Sequence, residues 1–424
     1  MKTVHDSVIV DEIPATRRSL RLAVVTETYP PEVNGVASTL AQIVEGLHRR
    51  NHALQLVRPR QFDGEAPEQS RFHEVLMRGL PIPRYPGLRM GLPSKGALAR
   101  MWSLNRPDVV HIATEGPLGW SALQAARRLK LPVSTDFRTN FQAYSRHYGV
   151  GWLNKPIMAY LRKFHNLAHC TMVPTDAMRR DLQAYGFQRL HVVSRGVDAQ
   201  RFDPSRRSAA LRAQWGVQDD DLVVACVGRL APEKNLDLLL TACDAIAQAQ
   251  PRARLLLVGD GPLRAELQSR CPRAVFAGQR TGDDLAAHYA SADLFLFSSV
   301  TESFGNVTTE AMASGLPVVA FHSAAAAQLI RPRDNGVTVP LGDPDAFVAA
   351  AVALANDPAQ RRDIGQRARR SACELGWDAV VARFESVIVS LLAASGAPAD
   401  ALLGRVSAAD SLSPWERVGV RANE

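Results

Sequence analysis

The sequence predicts an α/β protein built on two doubly wound parallel sheets, and three observations support this fold class. Short apolar runs, typical of buried parallel strands, alternate with helical stretches along most of the chain. Several of these runs end in loops that contain glycine or proline. At 424 residues the chain is also too long for one ordinary core, so two domains of roughly 180 residues each are expected.

Composition limits the class of protein. Hydrophobic residues make up 46% of the chain and the mean hydropathy is −0.10, which suits a soluble globular protein. No run of about 18 apolar residues, the length of a membrane-spanning helix, is present. Residues 1–20 are predicted as an N-terminal extension, since Asp6, Asp11 and Glu12 and the lack of an apolar core argue against a signal peptide. Five scattered cysteines, never in Cys-x-x-Cys, indicate a reduced cytoplasmic protein.

The net charge of +8 and the pI of about 9.5 suit three kinds of anionic partner. These are a nucleic acid, an anionic membrane surface and an anionic nucleotide substrate. The excess consists mostly of arginines spread along the chain, without a basic tract interleaved with aromatic residues. Sequence-specific binding of nucleic acid is therefore disfavoured.

The first half contains strands separated by helical stretches, which predicts a parallel, doubly wound sheet. The predicted strands are 22–25, 54–57, 109–112, 133–136 and 171–174. A loop broken by two prolines follows the first strand and contains Tyr29, Asn34 and Gly35. Gly35 lies at the entrance of the next helix, where a missing side chain lets a ligand approach the backbone closely.

Three further positions in this half are candidates for contact with a ligand. His111 ends a strand, at the edge of the sheet where ligands bind in such folds. Arg138 follows the end of the next strand. Tyr144 lies in a stretch dense in hydrogen-bond donors and aromatics, which is expected to line a cleft.

The second half is expected to begin after a polar linker at 199–221. Strand 222–227 ends in a loop that places two cations, Arg229 and Lys234, five residues apart. A bound phosphate group needs positive charge at such a loop, and Arg offers a rigid fork while Lys offers a mobile point charge. A later Gly-x-Gly that ends at Gly261 lacks a third glycine at dinucleotide spacing, so an oxidoreductase is disfavoured.

The stretch 298–317 is the centre of the predicted site. An apolar strand leads into a polar loop, and a helix begins at about Asn306. The N-terminus of that helix offers unpaired N–H groups and partial positive charge, which suit a phosphate. Glu302 on the loop and Glu310 in the helix would lie on either side of a bound pyrophosphate, placed to accept sugar or ribose hydroxyls.

The rest of the chain carries fewer signals. A last strand is predicted after Asn335-Gly336, and helices follow to about Leu392. Asp343-Pro344-Asp345 has the Asp-x-Asp form of some metal sites, but it precedes a helical run, so helix capping is the better account. No metal site is predicted. Residues 394–424 lack a core pattern and are predicted as a disordered tail.

Three motifs resemble those of glycosyltransferase family 4, whose members are retaining enzymes with the GT-B fold. They are Tyr-Pro-Pro-x-x-Asn-Gly-Val at 29–36, Gly-Arg-Leu-x-x-x-Lys-Asn at 228–235, and Glu-x7-Glu around Ser-Phe-Gly at 302–310. The resemblance covers about residues 22–392. It implies two Rossmann-like domains that face each other across a cleft, with a C-terminal helix that crosses back to the first domain.

The implied domain boundaries follow from that fold. An acceptor-binding domain is expected at 21–200, a donor-binding domain at 201–374 and the crossing helix at 375–393. The Arg- and Pro-rich segment between 62 and 106 is expected either to face the acceptor and a membrane, as in relatives with lipid acceptors, or to form a solvated basic surface.

The resemblance also implies roles for the candidate residues. Residues expected to bind the nucleotide-sugar donor are Gly35, Arg229, Lys234, Gly261, Gly278, Glu302, Ser303, Phe304, Gly305, Asn306, Val307 and Glu310. Residues expected to bind the acceptor are Tyr29, Asn34, Gly35, His111, Arg138 and Tyr144. The expected catalytic residues are Arg229, Lys234, Glu302 and Arg138.

One position departs from the family pattern. Many relatives carry His or Gln where Arg138 stands, so a histidine's role is not carried over to it. Arg138 is expected instead to hold a phosphate or an anionic acceptor. Arg229 and Lys234 are expected to stabilise the departing diphosphate without a metal or another cofactor.

The Ser-Phe-Gly-Asn-Val variant and the Pro-Pro loop most resemble mannosyltransferases that act on lipid-linked or glycolipid acceptors. GDP-mannose is therefore the first expected donor, and a UDP-sugar is the alternative. A non-catalytic protein that binds nucleotide sugars or nucleic acid is the competing class, which the presence of both glutamates and both cations disfavours. The expected location is the cytoplasm, with peripheral contact at the inner face of the membrane as an option.

Overall fold

The computed structural model describes residues 19–32, 34–62, 64–65, 72–82, 89–138 and 154–395. The strands are β1 (Arg21–Val25), β2 (Ala53–Pro59), β3 (His73–Met77), β4 (Gly79–Pro81), β5 (Arg89–Gly91), β6 (Val109–Ile112), β7 (Val133–Asp136), β8 (Cys170–Val173), β9 (Leu190–Val192), β10 (Val223–Val227), β11 (Arg254–Val258), β12 (Val275–Gly278), β13 (Leu294–Phe297), β14 (Val318–Phe321) and β15 (Val337–Val339).

Helices connect most of these strands. They are α1 (Gly35–Arg49), α2 (Lys95–Leu104), α3 (Pro117–Arg128), α4 (Asn154–Asn166), α5 (Asp176–Ala184), α6 (Ala209–Gln214), α7 (Leu236–Ala249), α8 (Arg264–Arg270), α9 (Gly282–Ala290), α10 (Asn306–Ala313), α11 (Ala324–Leu329), α12 (Pro344–Asn356), α13 (Pro358–Cys373) and α14 (Trp377–Ala394). Tyr144, most of the predicted N-terminal extension and nearly all of the predicted tail lie outside the described residues.

The first sheet is parallel throughout, with the strand order β3-β2-β1-β6-β7-β8-β9. Residues along β1 alternate between two cores. Leu22 and Val24 pack in a cluster with α1 and α14, and Ala23 and Val25 pack in a second cluster with α2 and α3. The chain moves outward from β1 to β3 and then restarts at β6 on the other side of β1. The loops after β1 and β6 therefore diverge at this point, where ligands bind in open α/β sheets.

The second sheet repeats the design, with the order β12-β11-β10-β13-β14-β15 and parallel pairing throughout. Apolar clusters cover both of its faces. Its strand order reverses between β10 and β13. The loops after these two strands are the predicted Arg229–Lys234 loop and the predicted Glu302 loop.

The structure adds strands that the sequence did not reveal. The strands β3, β4, β5 and β9 were not predicted. β3 is an edge strand, and most of its residues are only partly buried. β4 and β5 are three residues each and form a separate antiparallel hairpin. Short, partly exposed strands lack the continuous apolar run that marks a strand buried on both faces.

The predicted linker at 199–221 is more ordered than expected. It contains a 3₁₀ turn, Pro204–Arg206, and the helix α6. Arg212 of α6 is fully buried and pairs with Asp293, 3.1 Å away, while its guanidinium also donates to the carbonyl oxygens of Ser291 and Asp221. Arg212 therefore anchors the segment 199–221 to the second sheet. The predicted cap at Asp343 is confirmed, since its carboxylate accepts from the Ala346 N–H at 2.9 Å.

The terminal helix α14 lies against the first sheet. Its buried residues Val381 and Phe384 belong to the same core cluster as β1 and α1. A Cβ on Gly46 of α1 would lie 2.4 Å from Val381, so the missing side chain lets the two helices approach closely. Among the residues that the structure describes, none of the helices combines the length and apolar character needed to cross a membrane.

The packing of α14 yields a first prediction. Phe384 is fully buried, and its ring lies 4.8 Å from the His111 ring. The substitution Phe384→Ala should lower the free energy of unfolding by about 3–5 kcal/mol, because it leaves a cavity in a close-packed core. Guanidinium-induced unfolding measures the change.

A residue on the same helix provides the control. Val389 is 40% exposed, so Val389→Ala should change the free energy of unfolding by less than about 0.5 kcal/mol. Equal effects of the two substitutions would show that α14 is not docked as described.

Candidate active site

Hydrogen bonds join the loops after β10 and β13. The Ser298 hydroxyl donates to the Lys234 carbonyl oxygen at 2.9 Å, and the Thr301 hydroxyl donates to the Glu233 carbonyl oxygen at 3.3 Å. The Lys234 ammonium forms an ion pair with the Glu302 carboxylate. Lys234 and Glu302, 68 residues apart in sequence, thus meet where the strand order of the second sheet reverses.

These two loops enclose a pocket. Its lining residues are Cys226, Val227, Gly228, Arg229, Leu230, Lys234, Leu236, Phe297, Ser298 and Ser299. The Arg229 side chain is 40% exposed, and its Nη1 lies 3.8 Å from the Glu233 carboxylate. Both predicted cations therefore line one pocket at the carboxyl edge of the sheet.

The start of α10 has the geometry of an anion site. Gly305 caps the helix with a φ of 91°, a conformation that glycine adopts without strain. Phe304 is buried, and its carbonyl oxygen accepts from the Ala325 N–H, so the turn is held from behind. Ser303 is partly exposed on the loop, and Val307 packs against the core. The first turn of α10 contains no acidic residue that would repel an anion or occupy the free N–H groups.

Glu310 lies one turn into α10. The Tyr289 hydroxyl donates to its carboxylate at 2.9 Å. Burial raises the pKa of the Glu310 carboxyl to about 7, although the bond from Tyr289 acts in the opposite direction. Glu310 therefore changes charge near neutral pH, at a position suited to accept hydroxyl groups.

At two of the predicted positions, Gly261 and Gly278, the backbone geometry explains why the residue is glycine. A Cβ on Gly261 would lie 2.3 Å from the Leu230 carbonyl oxygen, so this glycine lets two loops touch. Gly278 has a φ of 73°, and its carbonyl oxygen accepts from the Gly259 N–H at 2.8 Å. Their expected contacts with a donor stay predictions.

The two halves of the molecule meet at the start of α1. The Asn34 side chain caps this helix by accepting from the N–H groups of Val36 and Ala37. A Cβ on Gly35 would lie 3.7 Å from Asn306 Nδ2. Gly35 and Asn306, both predicted from sequence, thus face each other across the cleft.

The structure places two predicted acceptor residues inside the core. Tyr29 is 8% exposed and belongs to the cluster around β1 and α1. His111 is fully buried, with its ring nitrogens 3.0 Å from the Ser134 hydroxyl and 3.2 Å from the Asp136 carboxylate. In this conformation neither side chain lines the cleft, because apolar packing and internal hydrogen bonds hold both.

Asp136 and Arg138 form a buried pair beside the cleft. Arg138 Nε donates to Asp136 Oδ2 at 2.7 Å, and its Nη2 contacts the same oxygen. Burial alone would raise the pKa of Asp136, but Arg138 and His111 hold that pKa well below its usual range. Asp136 is therefore a carboxylate that fixes the Arg138 guanidinium from behind, while His111 supports it.

A second pocket lies beside this pair, and sequence reasoning missed most of it. Its lining residues are Thr39, Ile43, Asp136, Phe137, Arg138, Pro174, Val193, Ser194 and Arg195. Arg195 follows β9 in the run Val-Val-Ser-Arg-Gly-Val-Asp. A charged residue just after two consecutive valines at the end of a strand was the signal that could have pointed to it.

Glu27 was also missed. Its carboxylate accepts from the Leu118 N–H of α3 at 2.9 Å and from the Gly91 N–H of β5 at 3.4 Å. A Cβ on Gly116 would lie 2.1 Å from it, so that glycine makes room for the carboxylate. Burial raises the pKa of the Glu27 carboxyl to about 7, with these N–H groups acting in the opposite direction.

Solved structures share this architecture. Sucrose-phosphate synthase from Thermosynechococcus elongatus is similar with a TM-score of 0.73 at 20% identity, covering 88% of this chain and 100% of that chain. HepE from Anabaena, in complex with UDP and glucose, is similar with a TM-score of 0.69 at 20% identity and the same coverage. At these identities the likeness concerns the fold alone. Two Rossmann-like halves facing across a cleft define the GT-B architecture.

Sequence comparisons identify the family. Residues 33–201 match the family described as Glycosyltransferase Family 4, and residues 221–357 match Glycosyl transferases group 1. A GDP-mannose-dependent alpha-mannosyltransferase from Mycobacterium tuberculosis is 37% identical over 377 residues, covering 87% of this chain and 97% of that protein. Its namesake from Mycolicibacterium smegmatis is 34% identical, covering 87% and 98%. The chain belongs to glycosyltransferase family 4 and is a glycosyltransferase.

The raised pKa of Glu27 generates a prediction about stability. Because the folded protein binds this proton more tightly than the unfolded chain does, Glu27 stabilises the fold fully below pH 4.5 and loses that effect as the pH rises through 7. The shift corresponds to about 3 kcal/mol. The substitution Glu27→Gln removes this titrating group. As the pH rises from 5 to 8, the free energy of unfolding of the variant should therefore fall less than that of the wild type.

Chemical unfolding at a series of pH values tests this expectation. Glu266→Gln serves as the control, since Glu266 lies exposed on α8, where its carboxylate pairs with Arg270. Parallel pH profiles for Glu27→Gln and the wild type would contradict the assignment.

Proposed function

We propose that the chain is a retaining mannosyltransferase that moves mannose from GDP-mannose to a lipid-linked or glycan acceptor. The observation that carries the proposal is the joined pair of loops after β10 and β13: Arg229 and Lys234 line one pocket, and Lys234 pairs with Glu302 on the loop that leads to the Gly305 cap of α10. These groups together suit a sugar diphosphate, because two cations and a helix N-terminus offer positive charge to its anionic oxygens. The expected domain boundaries, with the acceptor on the first half and the donor on the second, are part of this proposal.

Lys234 and Glu302 act as a prearranged pair in the proposed mechanism. In the free protein each neutralises the other. When a diphosphate binds, the Lys234 ammonium turns to its oxygens, and Glu302, still held by the Ser299 hydroxyl at 2.8 Å, accepts a hydroxyl of the donor sugar. Arg229 and Lys234 then stabilise the negative charge that grows on the leaving diphosphate. The acceptor attacks the face from which the diphosphate departs, and a phosphate oxygen takes the acceptor's proton.

Glu310 is assigned to the ribose. Its ionised carboxylate accepts two hydroxyl groups better than the protonated form does, so donor binding should strengthen as the pH rises through 7. The backbone around Gly278 is assigned to the base. Cations of the chain and the α10 N-terminus supply the charge stabilisation, so no metal is required.

The donor assignment is supported by relatives. Three mannosyltransferases named as GDP-mannose-dependent are 30–37% identical to this chain over most of its length. An alpha-mannoside formed from an alpha-linked donor corresponds to retention of configuration. The alternative donor is a UDP-sugar, because HepE, which shares the fold, is described in complex with UDP-glucose.

A lipid-linked acceptor is supported by two observations. Relatives include alpha-monoglucosyldiacylglycerol synthases and a phosphatidylinositol monomannoside mannosyltransferase. In this chain Leu80 and Met90 are paired across the β4–β5 hairpin and are 52% and 38% exposed. The hairpin adjoins Glu27 through the Gly91 N–H. Exposed apolar side chains beside the acceptor half suit a lipid or a peripheral membrane contact.

Thermal shift with nucleotides tests the donor assignment. We expect GDP and GDP-mannose to raise the melting temperature of the full chain, and EDTA to leave the shift unchanged. A preference for UDP would replace the donor and keep the enzyme class. No shift with GDP, UDP, ADP or their sugars would contradict the proposed donor site.

Substitution of Lys234 tests the leaving-group role. Lys234→Ala should lower kcat/KM roughly 100- to 1,000-fold, as loss of one group that stabilises developing charge does in other enzymes. Steady-state release of nucleoside diphosphate from GDP-mannose, with lipid extract as the acceptor source, provides the rate. The melting temperature of the free variant reports on its folding.

Lys163 provides the matched control. It lies exposed in the last turn of α4, away from the loops of the second sheet. Lys163→Ala should retain the activity of the wild type. A folded Lys234→Ala variant with activity within threefold of the wild type would remove Lys234 from the mechanism.

A further inference from the structure

Arg195 is a buried cation without an acidic partner. The residue is 5% exposed, yet among the described residues no carboxylate lies within ion-pair distance of its guanidinium. Other buried arginines differ in this respect. Arg58 pairs with Glu74 at 2.7 Å, and Arg212 pairs with Asp293 at 3.1 Å. A buried charge is costly unless it is paired, so the position of Arg195 suits an anion that comes from outside the chain.

The contacts of Arg195 fix its direction. Its Nη1 donates to the Thr39 hydroxyl at 3.1 Å and to the Gly35 carbonyl oxygen at 3.3 Å. Its guanidinium carbon lies 5.8 Å from the centre of the Phe304 ring. Arg195 thus extends from the first sheet to the loop that begins α10, and it reaches the residue directly before the Gly305 cap.

The start of α10 has an unpartnered polar atom close to the same place. Asn306 Nδ2 lies 3.4 Å from the Thr39 hydroxyl, which also accepts from Arg195. The Oδ1 atom of Asn306 is buried and has no hydrogen-bond partner within the described part of the chain. Arg195 and Asn306, the first residue of α10, therefore both contact the Thr39 hydroxyl. A phosphate seated on the α10 N-terminus would come within reach of its guanidinium.

The electrostatic surroundings agree with this geometry. Burial, together with the nearby charge of Arg138, lowers the pKa of Arg195 to about 9, against the opposing effects of Asp136 and Glu302. Arg195 remains charged at neutral pH, but its charge is not fully compensated. An added anion would relieve that imbalance.

We propose that Arg195 is a third cation for the diphosphate of the donor, supplied by the first half of the molecule to a site otherwise built by the second half. This inference rests on the proposed function, since it assumes that a sugar diphosphate binds at α10. Arg195 would contact the phosphate that bears the sugar, across the cleft from Lys234. Donor binding and the approach of the two halves would then be coupled, because the anion is shared between them.

The role of Arg195 can be tested by measuring how much the sugar-bearing phosphate contributes to nucleotide affinity. Isothermal titration of the full chain with GDP and with GMP gives the affinity ratio that the second phosphate provides. UDP and UMP replace them if the thermal shifts favour uracil. Arg195→Gln should weaken GDP binding roughly 10- to 100-fold more than GMP binding, because it removes hydrogen bonds to a charged group.

Two further variants sharpen the test. Arg195→Lys keeps the charge and loses the planar fork, so the ratio of GDP affinity to GMP affinity should fall by less than it does in Arg195→Gln. If Arg195→Gln does not unfold cooperatively, Arg195→Lys alone must still lower the ratio several-fold. Arg21→Gln is the control, since Arg21 pairs with Asp108 at the amino end of β1, away from the cleft, and it should leave both affinities unchanged.

Three results would overturn the inference. If Arg195→Gln weakened GDP and GMP equally, the residue would be structural. If nucleotide affinities stayed unchanged while the KM for the acceptor rose, the anion would belong to the acceptor, next to Arg138. If the wild type bound no nucleoside diphosphate, the proposed function would fail together with this inference, and that result is distinct from the other two.

Discussion

The carboxyl edge of the second sheet depends on the ion pair between Lys234 and Glu302. Parallel strands place the loops that follow them on one edge of a sheet, and reversal of the strand order separates two of those loops to leave a pocket. The ion pair, with the hydrogen bonds of Ser298 and Thr301, closes the two loops on each other. Arg229 and Lys234 line the pocket between these loops, and the Gly305 cap of α10 follows Glu302 on the second loop.

The charges near the cleft are not fully balanced. Near the cleft, Arg138 is compensated by Asp136, and Lys234 by Glu302. Glu27 and Glu310 are partly buried carboxyls with a pKa near 7, so part of the negative charge is titratable at neutral pH. Arg195 is uncompensated among the described residues. Such an uncompensated positive charge suits an anionic substrate, because the negative charge of the substrate would neutralise it.

The sequence motifs led directly to the donor half of the candidate site, and less directly to the acceptor half. Arg229, Lys234, Glu302 and Glu310 are close in sequence to glycines and strand ends, so short-range signals located them. His111 and Tyr29 had similar signals but lie in the core, because Phe384 of α14 covers His111 and Tyr29 packs into the cluster that α14 shares with β1 and α1. Arg195, Thr39 and Asp136 come from three separate elements, and only folding brings them into one pocket.

By itself, the sequence determined the class of fold, the alternation of strands and helices, and the family, because apolar period, glycine and proline positions and motif order are local properties of the chain. The tertiary structure decided which strands are neighbours, that the segment at 199–221 is packed through Arg212, and that α14 covers His111. It also decided that Arg195 faces α10. Such pairings depend on contacts between residues far apart in the sequence, for example 81 positions for Arg212 and Asp293 and 267 positions for Thr39 and Asn306, which no local pattern encodes.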